Sequence, residues 1–405
     1  MTVEKKSPEI RFNGFSEEWQ DKEIGSILAE TKRPVELLDN ELYQLVTVKR
    51  RNEGVVPRVS LKGKDILVKN YYGIKAGDYL ISKRQVVHGA NGIVPESLDN
   101  AVVSNEYLVL TDSDEITSKF WTVISKRPEM HKLFFISSYG VDIEKLVFDV
   151  SDWKNRSITI PDVAEQNAIT THFQKLDSLI NQHQQKHDKL SNLKKAMLKK
   201  MFPKQGETVP EIRFKGFRGE WEEKELGEIG SFASGVGFSE SEQSGRSGIP
   251  FFKVSDMNLI GNDCYMVTAN NYVNEEQISR LNYTLIRESS ILFAKVGAAI
   301  FLERKRIAKD FLMDNNMMAF SPTQDLTFMK QWFDSISLAK YTQVGALPSF
   351  KASDLGKIKL KIPKREEQTS IGNYFQKLDT LINQHQQQLT KLNNIKQACL
   401  SKMFV

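Results

Sequence analysis

Phe173–Leu190 reads FQKLDSLINQHQQKHDKL, and Phe375–Leu392 reads FQKLDTLINQHQQQLTKL. In the first stretch and its continuation, Phe173, Leu176, Ile180, His183, His187, Leu190, Met197 and Met201 fall at three- and four-residue steps. Phe375, Leu378, Ile382, His385, Leu389, Leu392, Cys399 and Met403 do the same in the second. This is the spacing of a coiled-coil seam. Gln, Asn and Lys fill the other positions, and no Gly or Pro interrupts either run. Pro161 and Pro363 precede the runs, and Glu165–Gln166 and Glu366–Glu367 suit a first helical turn. Each segment predicts a helix of ~40 residues, ~60 Å long. One such helix cannot bury its stripe alone, so the two are expected to pack on each other, antiparallel, because a globular segment intervenes. His183 and His385 lie within the stripe, where a metal or pH site competes with a polar pair that sets register.

The repetition extends outward at a constant offset. PEIRFNGFSEEW from Pro8 is matched by PEIRFKGFRGEW from Pro210, and IPDVAEQNAI from Ile160 by IPKREEQTSI from Ile362. KMF ends both helical stretches, at Lys200–Phe202 and Lys402–Phe404. The chain is two tandem halves, roughly 3–205 and 206–405, which implies an internal pseudo-two-fold. Between the repeated blocks lie two inserts of similar length that share little sequence. Echoes remain: DKEIG at Asp21 with EKELG at Glu223, and GDYLISK ending at Lys83 with ESSILFAK ending at Lys295. A common frame therefore presents two domains with different surfaces.

Composition sets the outer bounds. The chain has 405 residues, 40% of them hydrophobic and 26% charged, which is ordinary for a globular protein with two or three cores. No run of about 18 apolar residues predicts a membrane span, and the first residues have no apolar leader segment. Two cysteines, Cys264 and Cys399, stand far apart, which argues against zinc or disulfide scaffolding and leads us to expect a cytoplasmic protein. The net charge of +5 permits nucleic-acid binding without demanding it.

The inserts read as mixed α/β. Runs such as ELYQLVTV, AVVSNEYLVL, IPFFKVS and SILFAKV alternate with Gly, Asn and Ser turns, while TSKFWTVISK and FMKQWFDSI read as short amphipathic helices. Basic residues interleave with aromatics and amides on the expected loops. The first insert offers Lys49, Arg50, Arg51, Lys69, Tyr71, Tyr72, Lys83 and Arg84. The second offers Lys295, Arg304, Lys305, Arg306, Lys309, Asn315 and Asn316. Lys and Arg neutralise phosphates, and Arg and Asn can read base edges. Any one cluster is also what a solvated surface looks like.

Signs of catalysis are weak. The chain has no P-loop and no N/D-P-P-aromatic element. Gly235-Val236-Gly237 is a lone GxG. Glu303-Arg304-Lys305 has no convincing acidic partner for a metal-dependent nuclease. No catalytic residue and no metal ligand is assigned.

The stretches Ile160–Ile180 and Ile362–Ile382, with ILFAKVGAAIF at Ile291 and GALPSFKASDL at Gly345, resemble the DNA-specificity subunits of type I restriction-modification systems. The resemblance covers essentially the whole chain. It implies an α/β fold with two mixed α/β target recognition domains, 1–158 and 206–360. Conserved helical regions at 159–205 and 361–405 would form an antiparallel coiled-coil spacer between them. It implies double-stranded DNA as ligand, read as a split asymmetric site, and two modification subunits that methylate adenine. Restriction subunits would translocate and cleave. S-adenosylmethionine, ATP and Mg would sit on those partners, with no cofactor here. On this view Phe173, Leu176, Ile180, His183 and Leu190, with Phe375, Leu378, Ile382, His385 and Leu392, build the spacer. A helical insertion between Phe202 and Pro210 would lengthen the gap between half-sites. A coiled-coil scaffold that never touches DNA, or a fused restriction enzyme that has lost its catalytic part, are the rival readings.

Overall fold

Both quoted stretches are helical: the first helix is Val163–Lys200 and the second Arg365–Lys402. The computed structural model describes residues 6–68, 70–243, 245–343 and 347–405. The chain divides into two compact units. The first comprises Met1–Asn181 with Thr390–Val405, and the second Gln182–Leu389. The divisions fall inside the helices and not at the ends of the helical regions expected from sequence. The reason is where the apolar side chains go.

In the first unit, Ile169, Phe173 and Leu176 join one core with Trp19, Trp121 and Trp153, and Met403 and Phe404 from the end of the second helical region complete it. Phe404 meets Trp19, Phe120 and Phe173 at centroid distances of 5.9, 6.2 and 6.2 Å. Lys396 donates to Asp177, and Cys399 lies 3.7 Å from His172. Higher numbers on one helix meet lower numbers on the other, so the segments run antiparallel.

The second unit repeats these contacts with the roles of the helices exchanged. Phe202 meets Phe328, Trp221 and Phe375 at 5.4, 6.2 and 6.3 Å, and Lys194 donates to Asp379 over 2.6 Å. His183 and His385 face each other, Nδ1 to Nδ1, at 2.9 Å. They occupy the same position of the two repeats, 202 residues apart.

The repeated PEIRF segments explain the buried helix starts. Arg11 grips Glu165 with Nε and a terminal nitrogen at 2.7 and 2.6 Å, and Arg213 grips Glu367 at 2.6 and 2.7 Å. Such paired charge-assisted bonds are strong and directional. Gln166 accepts the Thr117 amide and donates to the Pro161 carbonyl, and Gln368 does the same with Asp325 and Pro363. Of the residues read as first-turn polar groups, Glu165, Gln166 and Glu367 are thus clamps that dock each helix on its own domain; the fourth clamp is Gln368, while Glu366 is exposed.

The inserts, so different in sequence, share a sheet. In the first unit the strand order is Ala29–Glu30, Tyr107–Thr111, Tyr79–Ser82, Asn91–Ile93. In the second it is Gly230–Ser234, Met317–Pro322, Ser290–Ala294, Lys305–Ala308. A two-stranded ladder closes each domain, Gln20–Glu23 with Ser157–Ile160 and Glu222–Glu225 with Lys359–Ile362. The remaining strands differ. The first unit adds a five-stranded sheet with the long hairpin Leu42–Lys49/Gly54–Lys62, and the second a three-stranded sheet around Ile249–Phe252. Among the described residues no helix is long and apolar enough to cross a membrane.

One sequence expectation changes. The first helix stops at Lys200, and Met201 and Phe202 turn into the second unit's core. An insertion between Phe202 and Pro210 would therefore lengthen a linker and not a helix.

Replacing Phe404 with Ala should cost about 3–5 kcal/mol, the usual penalty for emptying an aromatic core site. Urea unfolding would measure it, and a cost under about 1 kcal/mol would mean Phe404 is not part of a packed core. The His pair makes a second prediction. Burial, then the neighbouring His183, Lys186 and His187, push the His385 imidazole below its ordinary 6.5. A folded value below the unfolded one means that stability present above about 6.5 is lost as pH falls. Melting temperature should drop more steeply from neutral to acid pH in the parent than in a His183→Asn/His385→Asn variant. Parallel curves would remove the pair from the pH response.

Candidate nucleic-acid interface

The shared four-stranded sheet places the two inserts' cations in comparable positions. In the first unit Ser82 pairs with Tyr107, and in the second Ala294 pairs with Met317. One residue beyond, the Lys83 amide donates to the Glu106 carbonyl at 2.9 Å, and the Lys295 amide donates to the Asn316 carbonyl at 2.7 Å. Each central strand thus ends in a lysine held by the first residues of its neighbour. The Lys83 ammonium donates to the Asn105 carbonyl at 2.7 Å, and that of Lys295 to Ser234 Oγ at 3.2 Å.

Around Lys83 the first unit gathers several predicted residues. The turn of the long hairpin is left-handed at Arg51 and Asn52 (φ 59° and 55°), an uncommon conformation outside glycine. Their amides donate to the His88 and Gly89 carbonyls at 2.7 and 2.8 Å, which pins the hairpin tip to the segment after Lys83. Arg50 then reaches Gln85 and Glu144, each at 2.7 Å. Lys49 pairs with Glu53 at 3.9 Å, and Arg84 with Glu106 at 2.9 Å. Tyr72 and Lys83 line a cavity of about 60 Å³ with Asn105 and Tyr107. Tyr71, on the same strand as Tyr72, is half-buried in the five-stranded sheet. Lys69 lies outside the described residues.

In the second unit Asn316 bonds Asp314 through its amide and side chain, at 3.1 and 3.3 Å, beside Lys295. Burial pushes the Asp314 carboxyl up. A Cβ on Gly235 would lie 1.7 Å from the Asp314 carbonyl oxygen, so only glycine lets this loop approach. Lys253, which sequence reasoning missed, donates to Gln243 and lies 5.6 Å from the Phe238 ring. Its signal was the aromatic-rich IPFFKV run, read only as a strand.

The Arg304–Arg306 cluster differs from expectation. Lys305 is 3% exposed, and its ammonium is held by Glu303 at 2.6 Å and the Ile336 carbonyl at 3.2 Å. Burial opposes it, but Lys305, Ser337 and the Ala339 amide hold the Glu303 carboxyl below the usual carboxylate range. Arg306 donates to the Asn262 and Lys305 carbonyls, and Arg304 to Asn258. These side chains tie a turn together, and Lys305 faces no solvent from which a phosphate could approach. Lys309 is exposed. Among the described residues no group of three or more His, Cys, Asp or Glu converges as a metal site.

Residues 218–394 match the family described as type I restriction modification DNA specificity domain. The chain is 22% identical to the type I restriction enzyme MjaVIII specificity subunit of Methanocaldococcus jannaschii, over 96% of this chain and 92% of that one. Its fold is similar to the crystal structure of a type I restriction-modification S subunit from M. genitalium, with a TM-score of 0.57 and 16% identity. That match covers 98% of this chain and 99% of that one.

Lys305→Ala should cost about 2–3 kcal/mol by stranding Glu303 and its bonds. The salt dependence of DNA binding should not change. A variant as stable as the parent would show that the pair does not hold the turn.

Proposed function

We propose that this chain, which is similar to type I restriction-modification specificity subunits, reads a bipartite, asymmetric duplex target, one half-site per unit. The observation that carries this is the pairing of a common frame with unlike surfaces. Both units have the same four-stranded sheet, the same arginine-gripped helix start and the same aromatic plug. They differ in the side chains around the sheet end: Arg50, Arg84 and Glu106 in one, Asn316, Asp314 and Lys253 in the other. A frame repeated to this degree suits two equivalent seats for modification subunits, and the unlike surfaces suit two unlike sequences. In this reading the chain does no chemistry itself. Adenine methylation, and cleavage driven by ATP, belong to the partner subunits, which carry S-adenosylmethionine, ATP and Mg. In this reading the length of the helices sets the spacing of the half-sites.

The test exchanges residues 20–158 for the corresponding domain of another family member and maps methylated adenines in DNA exposed to the assembled complex. One half of the target should change and the other should persist. A change in both halves, or in neither, sinks the modular reading.

A further inference from the structure

The two lysines at the sheet ends have more in common than their surroundings do. We propose that Lys83 and Lys295 are equivalent phosphate anchors, one per unit, that fix each unit's register on the duplex without selecting a base. The inference rests on the DNA-specificity reading and assigns a role within it.

Three observations carry it. First, the backbone position is the same: each lysine follows the central strand by one residue and is held by the residue just ahead of the neighbouring strand. A four-stranded ladder fixes that point in both domains, where GDYLISK and ESSILFAK echo each other up to the lysine. Second, each ammonium bonds a neutral oxygen, the Asn105 carbonyl or Ser234 Oγ, and neither is in an ion pair among the described residues. Several neighbouring cations are: Lys49 with Glu53, Arg50 with Glu144, Arg84 with Glu106, Lys305 with Glu303. A lysine on a neutral acceptor can turn to a phosphate oxygen without breaking a salt bridge. Glu30 feels the charge of Lys83, but it is already paired with Lys154 at 2.7 Å and Lys32 at 3.7 Å. Third, the ladder partner of each lysine differs, Glu106 in one unit and Asn316 in the other. The common residue is a point charge suited to phosphate, and the differing residue beside it has the hydrogen-bonding groups that discriminate bases.

Phosphate contacts are read by salt. Each one lost should reduce the slope of log affinity against log salt by about 0.9. Between about 50 and 200 mM salt, the parent's loss of affinity should therefore shrink about 3.5-fold for one missing contact. The measurement uses the full chain with co-expressed modification subunits on a mixed-sequence duplex, with the parent, Lys83→Gln, Lys295→Gln and the double variant. Selection from a randomised duplex pool reports base preference, and thermal unfolding reports integrity. We expect each single variant to lose one contact and the double variant two, with selected sequences unchanged. Lys83→Arg and Lys295→Arg should keep the parent's slope. Unchanged slopes, a loss confined to one lysine, or altered base preference would each overturn the assignment. A parent that binds no duplex at all overturns the DNA reading itself, which separates the two failures.

Discussion

A helix with one apolar stripe cannot bury that stripe against its own sequence, and the architecture follows from this constraint. The first part of each long helix, Val163–Asn181 in one and Arg365–Leu389 in the other, packs on the domain that precedes it. The remainder has no domain of its own to cover it, and is covered in the unit built around the other repeat. The aromatic plugs mark where this happens. Phe202 fills a core whose other rings are Trp221, Phe328 and Phe375, and Phe404 fills one made by Trp19, Phe120 and Phe173. Polar contacts follow the same rule, with Lys194 on Asp379 and Lys396 on Asp177. Nearly identical helices are thus required by packing before any partner is considered, because each must satisfy the same set of neighbours.

Such a frame separates two jobs that a binding protein usually has to reconcile. Core residues hold the sheet, the helix start and the plug, and they leave little room for change. The sheet end, the hairpin tip and the loops after the central strand carry exposed charges, among them Arg50, Arg84, Glu106 and Glu144. Their side chains are mutually paired in the first unit, with Arg50 on Glu144 and Arg84 on Glu106. Exposed pairs of this kind contribute little to stability. Substitution there should cost folding little.

The helices, the duplication and the aromatic ends were legible in the sequence, because a period of three and four residues and a constant offset are both one-dimensional signals. The likeness of the two inserts showed only as echoes, among them GDYLISK and ESSILFAK, which contain the equivalent strands Tyr79–Ser82 and Ser290–Ala294. It resides in strand order and ladder register, which alternating apolar residues of many identities can satisfy. Lys305 was misread for a related reason. A basic triplet is solvated by default, but Glu303 adopts a left-handed conformation (φ 52°) and folds its carboxylate back against the ammonium two residues later. Lys253 was missed because its acceptor, Gln243, lies beyond a turn that periodicity does not register. Glu165, Gln166 and Glu367 were placed correctly on the helices, whereas Gln368, the equivalent of Gln166, was passed over for Glu366. Their partners, Arg11 and Thr117 in one unit, are distant in sequence and could not be paired without coordinates.

The way the cores are assembled also bears on the order in which a ribosome could complete them. The second unit is one continuous segment, Gln182–Leu389, so every residue it needs is available once Leu389 has emerged. The first unit needs Thr390–Val405 as well, and its Phe404 site and the carbonyl of Lys402 that bonds Ile10 are supplied last. Contacts spanning most of the chain are slow to form because a long loop must close first. The domain synthesised first is therefore the one that finishes folding last. Until then it presents an unfilled aromatic groove around Trp19, Phe120 and Phe173, a surface that holds the nascent chain open to chaperones and to pairing with the wrong helix.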